Sequence, residues 1–159
     1  MDKWNGTGNE VVRAINAGIH WCTNYEQEIN SVNVFPVPDG DTGNNMISTL
    51  QSIRRKLSRA DRSSAGRVFD EAASGLLMGA KGCSGIIVSL LFQGFAEKLR
   101  DKEVITMRDF AEAMKEASRK AWDGISNPVE GTILSVADAA VESADTSLKK
   151  NLYCLSPRT

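Results

Sequence analysis

The stretch Ser84-Gly85-Ile86-Ile87-Val88-Ser89-Leu90-Leu91-Phe92-Gln93-Gly94-Phe95-Ala96-Glu97-Lys98-Leu99 decides the fold. It is apolar through Ile86, Ile87, Val88, Leu90, Leu91 and Phe92, the pattern of a helix buried on most of its girth and central to a domain. Ser89, Gln93 and Gly94 interrupt it well short of the ~20 apolar residues that a spanning helix needs, so membrane insertion is not expected. Upstream, a helix carrying Val68, Ala72, Leu76 and Leu77 runs into Gly79, Gly82 and Gly85, a glycine density that predicts a loop. Downstream, Thr106 followed by Asp109 predicts a capping box for a helix reaching Trp122, and Pro128 with Glu130 opens another through Ala144. Towards the N-terminus, Val11, Val12, Ile15, Ile19, Cys22, Tyr25 and Ile29 form one stripe of a helix over 8–29. Met46, Leu50, Ile53 and Leu57 form another, with Asp41 or Thr42 as its N-cap. No alternating run bounded by hairpin turns appears anywhere, so the fold class is all-α.

The chain has 159 residues, 42% of them hydrophobic and 25% charged, with a formal net charge of -1. That length buries a core without staples, and the charge balance gives nucleic acid no electrostatic claim as the main partner. The residues before Glu10 contain no apolar signal region, which points to the cytoplasm. Cys22, Cys83 and Cys154 have neither disulfide nor zinc spacing and read as free thiols. Arg54, Arg55, Lys56, Arg59, Arg62 and Arg67 read as a solvated basic face. His20 reads as structural, and Trp4, Trp21 and Trp122 as packing residues.

Between the first two helices lies Asn33-Val34-Phe35-Pro36-Val37-Pro38-Asp39-Gly40-Asp41-Thr42-Gly43-Asn44-Asn45-Met46. Two carboxylates one residue apart, on a loop entering a helix N-terminus, set hard oxygen ligands beside backbone N–H groups and a positive dipole end. That combination suits Mg²⁺ carrying phosphate. A calcium loop from Asp39 fails, because Gly43, Asn44 and Leu50 stand where its fifth, sixth and twelfth residues belong. An aspartyl-phosphate site fails as well, since Pro36 and Pro38 deny it a buried strand. The plain alternative is that Asp39 and Asp41 shape a turn and cap a helix. Gly79-Ala80-Lys81-Gly82-Cys83-Ser84-Gly85 offers a second phosphate cradle or simply a tight helix turn, and it is not a Walker A loop. Asn127-Pro128-Val129-Glu130-Gly131-Thr132 reads by itself as a helix cap.

Taken together, in this order, these three segments resemble the N-terminal nucleotide-binding domain of bacterial fatty acid kinase. That domain shares its superfamily with the ADP-binding L subunit of dihydroxyacetone kinase. The resemblance spans roughly residues 10–144. It implies an up-and-down antiparallel helical barrel, lacking its last helices, whose loops hold ATP or ADP through Mg²⁺. By the family's motif Asp39 and Asp41 are metal ligands, and Asn33 is the nearest counterpart of a further upstream ligand. Asn44 and Asn45 are implied to meet nucleotide or phosphate, Gly82, Cys83, Ser84 and Gly85 to form the phosphate-binding turn, and Gly131 and Thr132 to line the adenine side. Residues 1–148 then make the kinase domain and 149–159 an atypical tail. The implied reaction moves the γ-phosphoryl group of ATP to an acyl carboxylate presented by a fatty-acid-binding protein, with remaining kinase domains as further partners. The L subunit itself, and a truncated module that binds nucleotide without turnover, are the competing expectations. An open barrel is also expected to pair as a homodimer.

Overall fold

In a computed structural model of the chain, which describes residues 5–154 and the side chains of 5–149, the apolar stretch is the helix around which the others assemble. In chain order the elements are β1 (Asn5–Gly6), α1 (Gly8–Asn24), α2 (Glu26–Ser31), α3 (Thr42–Ser52), α4 (Arg54–Arg59), α5 (Ala65–Gly79), α6 (Gly82–Leu99), β2 (Ile105–Thr106), α7 (Met107–Asp123) and α8 (Ile133–Cys154). The class is all-α, as the periodicity predicts. Helix α6 packs against α3, α5, α7 and α8, while α1 lies on α3 and α5. Ile87, Val88, Ala96 and Leu99 bury its inner side, and Ile86 faces solvent. Phe69 of α5 stacks on Phe95 of α6 at 5.3 Å between centroids, and Phe95 meets Phe110 of α7 at 5.4 Å. Aromatic pairs at this spacing add to the area they bury.

The two strands are a two-residue antiparallel ribbon, Asn5 opposite Thr106 and Gly6 opposite Ile105. Each strand feeds directly into a capping box. The predicted one joins Thr106 and Asp109, and a second joins Thr7 and Glu10. In both, the threonine hydroxyl accepts from the N3 amide while the N3 carboxylate accepts from the threonine amide, so two otherwise orphaned helix donors are satisfied.

Several predicted boundaries are corrected. The helix over 8–29 is two helices broken at Tyr25, whose backbone at φ -109° and ψ 18° leaves the helical region and whose N–H donates three residues back to Cys22. The second predicted helix breaks at the buried Ile53, whose backbone stays in the helical region while its N–H donates three residues back to Leu50 at 3.4 Å. The glycine loop contracts to Ala80 and Lys81, because α5 runs through Gly79 and α6 starts at Gly82. The last helix opens at Ile133, after Gly131 turns the chain at φ 78°, so Pro128 and Glu130 stand in the connection before it. It continues past Ala144 to Cys154, while Pro157 lies outside the described residues. Trp21 is 64% exposed beside Tyr25 rather than packed in the core, and Trp4 lies outside the described residues. No helix among the described residues is long and apolar enough to cross a membrane.

Candidate functional site

The segment containing Asp39 and Asp41, the start of α6 and the connection into α8 meet around one cleft of about 720 Å³. Asn33, Asp39, Asp41, Asn45, Gly82, Cys83, Ser84, Gly131 and Thr132 all line it. Two expected residues do not. Asn44 is directed back to α2, where its Oδ1 accepts from Asn30 Nδ2 at 2.9 Å. Gly85 is buried, and a side chain there would strike Thr49 Oγ1, so this glycine lets α6 lie close to α3 rather than a phosphate lie close to the backbone.

The polar end of the cleft is built from two helix N-termini in different states. That of α3 is saturated. Asn33 Oδ1 accepts from the amides of Asp41 and Thr42, both at 3.2 Å, and Asn30 Oδ1 accepts from those of Gly43 and Asn44 at 2.7 and 3.3 Å. The Asn45 amide goes to Asp41 O at 2.9 Å. Asp41 occupies the N-cap position but makes no side-chain cap bond, which leaves its carboxylate available to the cleft. The expectation of free N–H donors beside the carboxylates therefore fails at α3, because two asparagine side chains have already taken them.

The start of α6 is the complement. Lys81 is its N-cap and offers no side-chain acceptor, and the first ladder bond at this end is Gly85 N–H to Lys81 O. The amides of Gly82, Cys83 and Ser84 precede that bond and are the donors a helix leaves open, at the positive end of its dipole. Gly82 holds φ 61°, and a Cβ there would lie 2.7 Å from Asn45 Nδ2. Ser84 Oγ donates to Thr42 O at 3.5 Å, which ties the two helix starts together. Thr49, fully buried, braces the elbow: it donates to Asn45 O at 2.7 Å and accepts from Lys81 N at 3.0 Å.

Two carboxylates and an open row of amides facing one cleft suit a metal-bound polyphosphate. Mg²⁺ takes one or two protein carboxylates and completes its shell with water and phosphate oxygens, so Asp39 and Asp41 match its needs without a third acid. Among the described residues no group of three or more His, Cys, Asp or Glu converges.

Apart from Ser126 and Asn127, the rest of the cleft is apolar. Val32, Val34, Phe35 and Val37 on one side and Val129 and Val136 on the other line it and are exposed. In the sequence, the signal for this wall was an unusual run of four large apolar residues in a loop between helices. On the far side, Thr132 Oγ1 donates to Val129 O at 2.7 Å and Gly131 N–H donates to Ser135 Oγ at 2.9 Å, which fixes the entry to α8. Asp138 then pins α8 to α7 by accepting from Ser118 Oγ and, at 2.9 Å, from Trp122 Nε1.

The other expectations fall outside the cleft. His20 is exposed beside Asn24. Cys22, away from the cleft, and Cys83, in its lining, are both free thiols, and burial raises the pKa of Cys22. Within the basic run, Arg67 pairs with Asp61 at 2.7 Å and Lys56 Nζ donates to Ser74 Oγ at 2.8 Å.

The fold and the cleft together define an all-α domain in which a carboxylate pair is set against an uncapped helix start. Residues 36–154 match the model of the DAK2 domain, and the chain belongs to the DAK2-domain family, whose members are kinase-associated and nucleotide-binding. It is similar to protein YloV of Bacillus subtilis, 39% identical over 137 residues that make up 86% of this chain and 25% of that protein. It is likewise similar to uncharacterized proteins of Staphylococcus saprophyticus, 41% identical over 87% of this chain and 26% of the relative, and of Staphylococcus aureus strain USA300, 39% identical over 87% and 25%. The chain thus spans about a quarter of the length of these relatives.

Proposed function

We propose that the cleft binds ATP with Mg²⁺ and that the domain is the nucleotide-binding part of a fatty acid kinase, which transfers the γ-phosphoryl group to an acyl carboxylate. The observation that carries this reading is the convergence of Asp39 and Asp41 with the open amides of Gly82, Cys83 and Ser84 on one cleft. Asp39 and Asp41 would hold the metal, which supplies charge neutralisation on the phosphates when bound. The α6 amides donate to phosphate oxygens, where charge accumulates as the group leaves ADP. Ser84 adds a hydroxyl, and Asn45, packed over Gly82, closes that end. The apolar wall, with Gly131 and Thr132 at its edge, accommodates the base.

No histidine lines the cleft, and the acceptor accounts for that. A carboxylate is ionised at neutral pH, with an ordinary pKa of about 4, so its oxygen attacks the γ-phosphorus without a general base and ADP departs. In this reading the acyl group is brought by a fatty-acid-binding partner, and further kinase domains complete the enzyme, in the cytoplasm. Hydroxylamine trapping tests the acceptor. With ATP, Mg²⁺ and a long-chain acid on its carrier protein, an acyl hydroxamate is expected; phosphorylation of dihydroxyacetone instead would assign the chain to the L-subunit reading.

A further inference from the structure

We propose that Asn33 is a positioning residue and not a metal ligand: it fastens the middle and the far end of the 34–40 loop and so holds Asp39 and Asp41 at the cleft. Its amide oxygen and one of its two N–H groups are engaged by the loop and by the helix start that follows it. Nδ2 donates to Val37 O at 2.9 Å, in the middle of the loop. Oδ1 accepts from the Asp41 and Thr42 amides at 3.2 Å each and from Thr42 Oγ1 at 2.7 Å, at its end. An amide oxygen has two lone pairs, and three donors already share them. A divalent ion placed on Oδ1 would have to displace those donors. The carboxylates carry no such commitment, since among the described residues neither side chain makes a hydrogen bond or an ion pair.

The loop has little else to hold it. Phe35 and Val37 are 45% and 58% exposed, Gly40 turns the chain at φ 70°, and the one backbone bond within it runs from Asp39 N–H to Val37 O at 2.9 Å. Val37 O thus accepts from both Asn33 and Asp39, so the clamp reaches Asp39 through one shared acceptor and Asp41 through its own amide. Asn30 performs the parallel task for the next two amides of α3, which separates the two effects along the chain.

The consequence for metal binding rests on the proposed ATP site, whereas the clamp itself does not, and the test reads them apart. Amide hydrogen exchange is followed by NMR on the nucleotide-free chain and on Asn33→Ala and Asn33→Asp, and each is then titrated with ATP at increasing Mg²⁺. In Asn33→Ala the Asp41 and Thr42 amides are expected to exchange about tenfold faster while Gly43 and Asn44, held by Asn30, are unchanged. ATP affinity falls about tenfold and excess Mg²⁺ does not restore it. Asn33→Asp keeps an oxygen acceptor at the helix start, so exchange at 41 and 42 stays slow and affinity stays within about threefold. Unchanged exchange in Asn33→Ala, or affinity fully recovered by excess Mg²⁺, would overturn the proposal. If the unsubstituted chain binds no ATP at all, the reading of the cleft fails and the clamp is decided by the exchange rates alone.

Discussion

At the scale of single residues, side chains that look alike in sequence do different work. Asp39, Asp41 and Asp109 are all acids near helix starts, yet the first two face the cleft while Asp109 is spent on structure. Its carboxylate pairs with Lys102 at 2.8 Å and accepts from the Thr106 hydroxyl and amide, and those bonds, Lys102 first, pull its pKa down to about 2. A depressed carboxylate stabilises the fold above its ordinary pKa of about 4 and loses that contribution as pH falls towards 2. Asp109→Ala is therefore expected to cost about 1 kcal/mol at neutral pH, water screening the half-exposed Lys102, and to flatten acid denaturation below pH ~4. Urea titrations at a series of pH values check this, and an Asp109→Ala curve parallel to the wild-type curve through that window would refute it. At the cleft, Gly82→Ala combines a positive φ with a clash against Asn45 Nδ2, and weaker ATP binding by a folded variant is the expected outcome. That Asp39 and Asp41 stand together before a helix start was legible from their spacing and the loop that carries them. The roles of Asn30 and Asn33 were not, because an amide both donates and accepts and only the return path of the loop selects its partners.

At the scale of elements, the helices were legible and their joints were not. Apolar periodicity locates α1, α5, α6 and α7, but it runs unbroken through Tyr25 and Ile53, where the N–H donates three residues back instead of four without a Gly or Pro to mark the joint. The glycines between α5 and α6 misled for the opposite reason. They look like punctuation, yet Gly79 and Gly85 lie within helices at places where α3 crosses, over Ser52 and Thr49. The same use recurs at Gly94, where a side chain would strike the backbone of α7 at Ala117. Gly94→Ala should force α6 and α7 apart and destabilise the domain by about 1–3 kcal/mol in thermal or urea unfolding. A variant as stable as the parent would show that this crossing yields more easily than its close approach implies. Each capping box holds its helix next to the ribbon, so Thr7→Ala is expected to cost about 1 kcal/mol, as an N-cap loss does.

At the scale of the molecule, the separation of polar and apolar lining within one cleft is what connects fold to function. Three segments far apart in sequence meet there because α6 runs between α3 and α8, and no local pattern could supply that convergence. The exposed valines of the 32–37 segment and Val136 follow from it, since a wall that serves a ligand is not covered by the protein's own core. The central claim is that this cleft binds ATP through Mg²⁺ held by Asp39 and Asp41. Its most direct test is calorimetric titration of ATP into the purified chain with Mg²⁺ and with EDTA, beside the Asp39→Asn and Asp41→Asn variants at unchanged helical content. Binding that disappears with EDTA and in both variants is the predicted result; equal affinity under all four conditions would contradict it.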